Sequence, residues 1–122
     1  MKIAGARGQA AQQPTVILKF LGDHVQHLAL AVHAPELYLL TGVPGVQLRY
    51  GTPQAETLKT VTVAEARRYL SEGHFPAGSM GPKMLAACEF LEGGGSRVLI
   101  TDPAHLLDAL QGNSGTWIVT DS

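Results

Sequence analysis

The chain has 122 residues, enough for one domain or part of one and for a moderate core. Its 45% apolar and 16% charged content fits a soluble globular protein, and a net charge of −1 gives no overall pull toward nucleic acid or anionic lipid. One cysteine, Cys88, excludes an internal disulfide. No apolar run reaches the length of a membrane span. The opening MKIAGARGQAAQQPT lacks the continuous hydrophobic region of a signal peptide, so the cytoplasm is the expected compartment.

Residues 1–14 are rich in Gly, Ala and Gln without periodicity and read as a loosely ordered N-terminal segment. Residues 15–122 read as one half-domain. TVILKF, residues 15–20, is β-branched and apolar, which predicts a strand. Asp23 is a candidate N-cap for a helix carrying Val25, Leu28, Ala29 and Val32 and ending near Pro35. LYLLT, residues 37–41, suits a buried parallel strand. Gly42, Pro44 and Gly45 mark a turn, and residues 46–50 alternate as a strand closed by Gly51-Thr52-Pro53. Residues 58–62 form a further short strand. Thr62 with Glu65 three residues on is the capping-box pattern, opening a helix with Ala66, Tyr69 and Leu70 inward. A second long helix spans residues 83–91 with Met84, Leu85, Ala87, Cys88 and Leu91 apolar, ended by three glycines. RVLIT is a buried strand, Asp102-Pro103 takes the N-cap and N1 roles of a helix lined by Leu106, Leu107 and Leu110, and GTWIVT is the final strand. Strands alternating with helices predict an α/β fold, a layered and mostly parallel sheet with flanking helices. In such sheets ligands sit beyond the carboxyl ends of strands. The Thr41-Gly42 turn and the loop before Lys83 fall on that edge.

Residues 73–90, GHFPAGSMGPKMLAACEF, carry the main functional signal. A Gly/Pro/Ser loop enters a helix with Pro82 at a first helical position, where a missing N–H costs nothing. Lys83 in the first turn opposes the helix dipole, which makes sense beside an anion held by the free amides. The alternative is an exposed lysine at a helix start.

Residues 39–53, LLTGVPGVQLRYGTP, resemble the nucleotide-side segment of carbamate kinases. Residues 61–94 are more similar still: a V-T-x-x-E helix, then G-H-F, then a G-S-M-x-P-K loop matched by Gly78, Ser79, Met80, Pro82 and Lys83. The ending resembles that family's terminal strand, helix and G-x-x-G-T strand. The shared order covers residues 34–119.

The resemblance implies the C-terminal, nucleotide-binding half of the amino-acid kinase fold. It also implies reversible phosphoryl transfer between ATP and carbamate, giving carbamoyl phosphate and ADP in arginine metabolism, with ATP/ADP and Mg²⁺ as cofactors. Lys83 matches the lysine that contacts the nucleotide phosphates and is the expected catalytic residue; such a lysine neutralises charge on the transferred group. Met80 matches the methionine beside the adenine. Thr41, Gly42 and Val43 border the same pocket, and Tyr50, Gly78 and Ser79 complete the expected nucleotide-binding set. No protein metal ligands are implied.

Departures are equally specific. The chain has about half the length expected of a full enzyme, and the substrate half is absent. The family's I-D-K-D-L-A motif is replaced by KFLGDHVQHLALA, with only Gly22 or Asp23 opposite its second Asp. Gln47, Arg49 and Thr52 also differ from the pattern. The expectation is a nucleotide side that is weak or inactive alone, with a complementary substrate-binding chain and self-association. The rival reading is a non-catalytic nucleotide-binding or regulatory module. His24, His27 and His33 lack further ligands and read as surface histidines. His74 reads as shaping a turn, Asp102 as an N-cap, Trp117 as strand packing, and Arg67 with Arg68 as a solvated helix face.

Overall fold

The computed structural model describes residues 15–19, 30–31, 33–49, 51–75 and 80–121. Five strands form one sheet: β1 (Thr15–Lys19), β2 (Glu36–Leu40), β5 (Thr60–Thr62), β6 (Arg97–Thr101) and β7 (Thr116–Val119), in the order β1-β2-β6-β7-β5. All neighbours are parallel except β6 and β7. The sheet is mixed and mostly parallel, flanked by helices, as expected. β3 (Gln47–Leu48) and β4 (Glu56–Thr57) form a separate antiparallel ribbon.

The period-two alternation of strands splits the apolar residues between two layers. Leu37 and Leu39 of β2 stand beside Val98 and Ile100 of β6, and Val98 stands beside Ile118 of β7. These residues are fully buried in the main core. Helices α1 (Val63–Ser71) and α2 (Met80–Glu92) cover that layer with Ala66, Met84, Ala87, Phe90 and Leu91. Tyr38, Leu99 and Trp117 face the other way, packed with Leu106 and Ala109. There Asp102 caps a 3₁₀ turn, Pro103–His105, which runs into the short helix α3, Leu106–Leu110. Burying one large apolar side chain in such a core stabilises by about 1.5–3 kcal/mol.

Local signals fix the helix ends. At α1 the Thr62 hydroxyl accepts from the Glu65 amide, and the Glu65 carboxylate accepts from the Thr62 amide at 2.9 Å. Asp121 takes another free amide, that of Ala64. Helices α1, α2 and α3 stop in the same way. Gly73, Gly94 and Gly112, each at positive φ, lead paired bonds back to the last turn, for example Gly73 N to Leu70 O and His74 N to Tyr69 O. Only glycine enters that left-handed turn without a Cβ penalty.

Several expectations are corrected. α2 starts at Met80, so Pro82 is its third residue and not its first; within the first turn its missing N–H still has no partner to lose. Leu85 is exposed, while Ala86 is buried in its place. Leu107 is 75% exposed and Leu110 42%, and Ala109 is the buried residue of α3. At about 100° per residue Leu107 lies roughly 160° around the helix from Ala109, so the face toward the core is that of Leu106 and Ala109. The expected strand over 46–50 shrinks to Gln47–Leu48 because Arg49 turns at φ 53. The strand expected over 58–62 begins at Thr60. Leu30 and Ala31 are helical, but Asp23, Val25, Leu28, Ala29 and Val32 lie outside the described residues, as do residues 1–14. No helix among the described residues is long and apolar enough to cross a membrane.

Candidate functional site

The sheet topology sets residues 41–43 just beyond one edge. β2 and β6 run parallel and end there, at Leu40 and Thr101. β7 is antiparallel to β6, and β5 is parallel to β7, so Thr116 and Thr60 begin at the same edge. Thr41 extends the ladder by one bond, donating its amide to Thr101 O at 2.8 Å. The turn that follows is anchored by two fully buried threonines. Thr101 Oγ1 donates to Pro44 O at 3.0 Å. Thr116 Oγ1 accepts from Val46 N at 2.8 Å and donates to Leu58 O at 2.5 Å. Sequence reasoning missed both anchors. The available signal was a threonine at the end of RVLIT and at the start of TWIV, where an apolar strand meets a loop that needs its polar groups paired.

α2 reaches this edge from the other direction. Its last turn feeds β6, whose start is tied to Pro35 O by the Ser96 amide at 2.7 Å, on the opposite edge. A helix running from one edge to the other therefore puts residues 80–83 near the ends of β2 and β6. Met80 is half-buried against the main core, Lys83 is half-buried, and Met84 behind them is fully buried. Thr41 and Val43 are half-buried and Gly42 is exposed. Tyr50, Gly78 and Ser79 lie outside the described residues.

On the α3 side of the same edge lies an open cleft of about 720 Å³. Val43, Gly45, Lys59, His105, Ser114 and Trp117 are among its walls. Val43 is the sole expected site residue among the described lining. His105 Nδ1 sits 2.6 Å from Asp102 Oδ1. Trp117 is more than strand packing: its Nε1 donates to Ala109 O at 3.3 Å, the Arg97 guanidinium lies 4.1 Å from its ring centre, and Tyr38 meets it edge-on at 5.8 Å. Arg97 in turn donates to Glu36 at 2.7 Å.

The remaining candidates resolve locally. His74 lies 3.2 Å from Glu72 and edge-on to Tyr69, at the turn that ends α1. Arg67 binds Glu92 through two bonds of 2.7 and 3.0 Å across the exposed faces of α1 and α2. Burial pushes the Cys88 thiol up to about 11. Among the described residues no cluster of three or more His, Cys, Asp or Glu could hold a metal. His33 is exposed, and His24 and His27 lie outside the described residues.

Comparison with known proteins gives this geometry a family. Residues 25–102 match the model of the amino acid kinase family. The chain is 48% identical over 92 residues to the carbamate kinase-like protein YahI of Escherichia coli, covering 75% of this chain and 29% of that protein. It is 46% identical over 94 residues to the carbamate kinase of Pyrococcus furiosus, covering 77% of this chain and 30% of that enzyme. Among solved structures, carbamate kinase from Giardia lamblia bound to AMP-PNP superimposes with a TM-score of 0.75 at 36% identity, over 79% of this chain and 30% of that one. The chain thus spans about 30% of the length of the relatives it matches. By its matched residues, its identity to these enzymes and its fold, the chain belongs to the amino acid kinase family, among the homologues of carbamate kinase.

Proposed function

We propose that this chain supplies the nucleotide side of a carbamate-kinase-like phosphotransferase. What supports this reading is that residues 41–43 follow the carboxyl end of β2 and that α2, which opens with Met80 to Lys83, covers the same sheet. The reaction would move the terminal phosphoryl group of ATP to a carbamate oxygen, reversibly. Lys83 would neutralise charge on that group and on the leaving oxygen. Thr41, Gly42, Val43, Tyr50, Gly78, Ser79 and Met80 would border the nucleotide. A half-buried lysine in the first turn of a helix suits a polyphosphate. Mg²⁺ would be held largely through the nucleotide's own phosphate oxygens, since the described residues offer it no cluster. The relative solved with AMP-PNP supports a nucleotide as ligand.

Residues 15–122 would form the nucleotide-binding half-domain, in a cytoplasmic setting. The carbamate side would come from a complementary chain, and exposed Leu107 and Leu110 would favour self-association. A monomer by light scattering would count against the latter. Calorimetry with ATP and Mg²⁺ tests the binding role. Lys83→Ala should weaken binding by about tenfold to a hundredfold, the worth of a hydrogen bond to a charged group. Equal binding by both proteins would remove Lys83 from the site. ATP formation from carbamoyl phosphate and ADP should be slow for the chain alone; robust turnover would show that it needs no partner.

A non-catalytic nucleotide-binding or regulatory module is the second reading, favoured by the replacement of the family's I-D-K-D-L-A motif by KFLGDHVQHLALA. It expects the same calorimetry and no turnover even with a substrate-binding partner present.

A further inference from the structure

The cleft on the α3 side is not accounted for by the nucleotide reading. Lys83 and Met80 stand on the helix that covers the other face of the sheet, and neither is among its described lining. Its walls are nevertheless built for a ligand. Lys59 brings a cation whose ammonium has no hydrogen-bond or ion-pair partner among the described residues, and no carboxylate is among the described lining. The backbone fixes where that cation starts, because Lys59 O accepts the Trp117 amide at 2.8 Å. Asp102 holds His105 through Nδ1, which leaves Nε2 for another partner. Trp117 is locked by Ala109, Arg97 and Tyr38, so it offers a rigid flat wall that loses little entropy on binding.

We propose that this cleft is a second ligand site, for a small molecule that carries a carboxylate or phosphate oxyanion on a flat apolar body. The oxyanion is met by Lys59 and His105, and the apolar body lies between Val43 and Trp117. A cleft of about 720 Å³ has the size of a small-molecule site. Val43 belongs to the turn of residues 41–46, so an occupant would touch the turn that also borders the expected nucleotide position.

The chain reports on this site itself, because Trp117 is its one tryptophan. The full chain is titrated without nucleotide, using benzoate, phenyl phosphate and inorganic phosphate, while indole fluorescence is followed. The expected result is a saturable change with benzoate or phenyl phosphate, whichever carries the preferred oxyanion, and a much weaker response to inorganic phosphate. Lys59→Gln should weaken binding at least tenfold, and His105→Gln about threefold, while Lys83→Ala leaves it unchanged. Circular dichroism and retained ATP binding check that the exposed Lys59 variant is folded. No saturable response to either aromatic probe overturns the proposal. So does equal affinity in Lys59→Gln. Loss of the response in Lys83→Ala would fold the cleft into the nucleotide position and overturn a second site, whereas failure of ATP binding with the probe response intact would strike only the kinase reading.

Discussion

Thr116 donates its hydroxyl hydrogen to the Leu58 carbonyl, at 2.5 Å, across 58 residues of sequence. The same oxygen accepts the Val46 amide, so one buried hydroxyl ties β7 to both the turn of residues 41–46 and the link between β4 and β5. Thr116→Val keeps the shape and orphans both backbone groups. It should cost about 2–4 kcal/mol in denaturant unfolding, whereas Thr116→Ser should stay within about 1 kcal/mol of wild type. A loss below about 1 kcal/mol for the valine variant would mean the turn is held by other contacts.

The Arg67–Glu92 pair joins α1 to α2 at the surface. Both side chains are over 40% exposed, so a double-mutant cycle should give only about 0.5 kcal/mol, falling with added salt. The hydrogen bond from Arg67 holds the Glu92 carboxyl below its ordinary range. A carboxylate depressed in the folded state stabilises above its unfolded pKa, and that contribution is lost as pH falls through the folded value. Acid titration should therefore erase the coupling, and a coupling that grows in acid would contradict this sign.

Cys88 behaves in the opposite sense. Burial, the largest cause, pushes its thiol from an ordinary 9.0 to about 11. The unfolded chain releases the proton first, so stability falls as pH rises between those values, by at most ~1.4 kcal/mol per pH unit. Tyr38, pushed up to about 12 by burial and by its bond to Glu36, adds the same sign above pH 10. Cys88→Ala should flatten the first part of the alkaline limb. Alkylation by iodoacetamide should be slow in the native protein and fast in denaturant; rapid native labelling would show that the thiol is not enclosed.

Gly115 precedes β7 at φ +75, and an added Cβ would come within 2.8 Å of Leu99 Cδ1 and 2.9 Å of Ala109 Cβ. Gly115→Ala combines left-handed strain with overpacking against the second core. Thermal and denaturant unfolding should show a loss of about 2 kcal/mol or more. The change should also disturb Trp117 fluorescence, because the indole packs against the same residues.

Sequence carried far for features set by neighbours in the chain. Thr62 with Glu65, the glycines that end the helices and the apolar strands 37–41 and 97–101 are local signals, and the folded chain uses them as read. The carboxyl edge was legible for Thr41, Gly42 and Val43, because they follow the end of β2 in a mostly parallel sheet. Thr101 and Thr116 were not, since their partners lie 57 and 70 residues away. The cleft was hidden for a similar reason: Lys59, His105 and Trp117 meet only after β5 and β7 pair. The α3 leucines misled because the small Ala109, and not the leucines at 107 and 110, marks the face that meets the sheet.

The sheet order has a consequence for how the chain assembles. β7 comes last among the described strands, yet it lies between β6 and β5 and not at an edge. β5 has no other neighbour in that sheet. β2 and β6 can pair without β7, but β5 must wait for it, together with the α1 start that Asp121 caps. Until β7 docks, the main core lacks Ile118 and β5 has no partner in the sheet. Contacts of such long sequence separation are slow to form, so the docking of β7 between β6 and β5 is a late step, and the interval before it is when the chain is most open to aggregation.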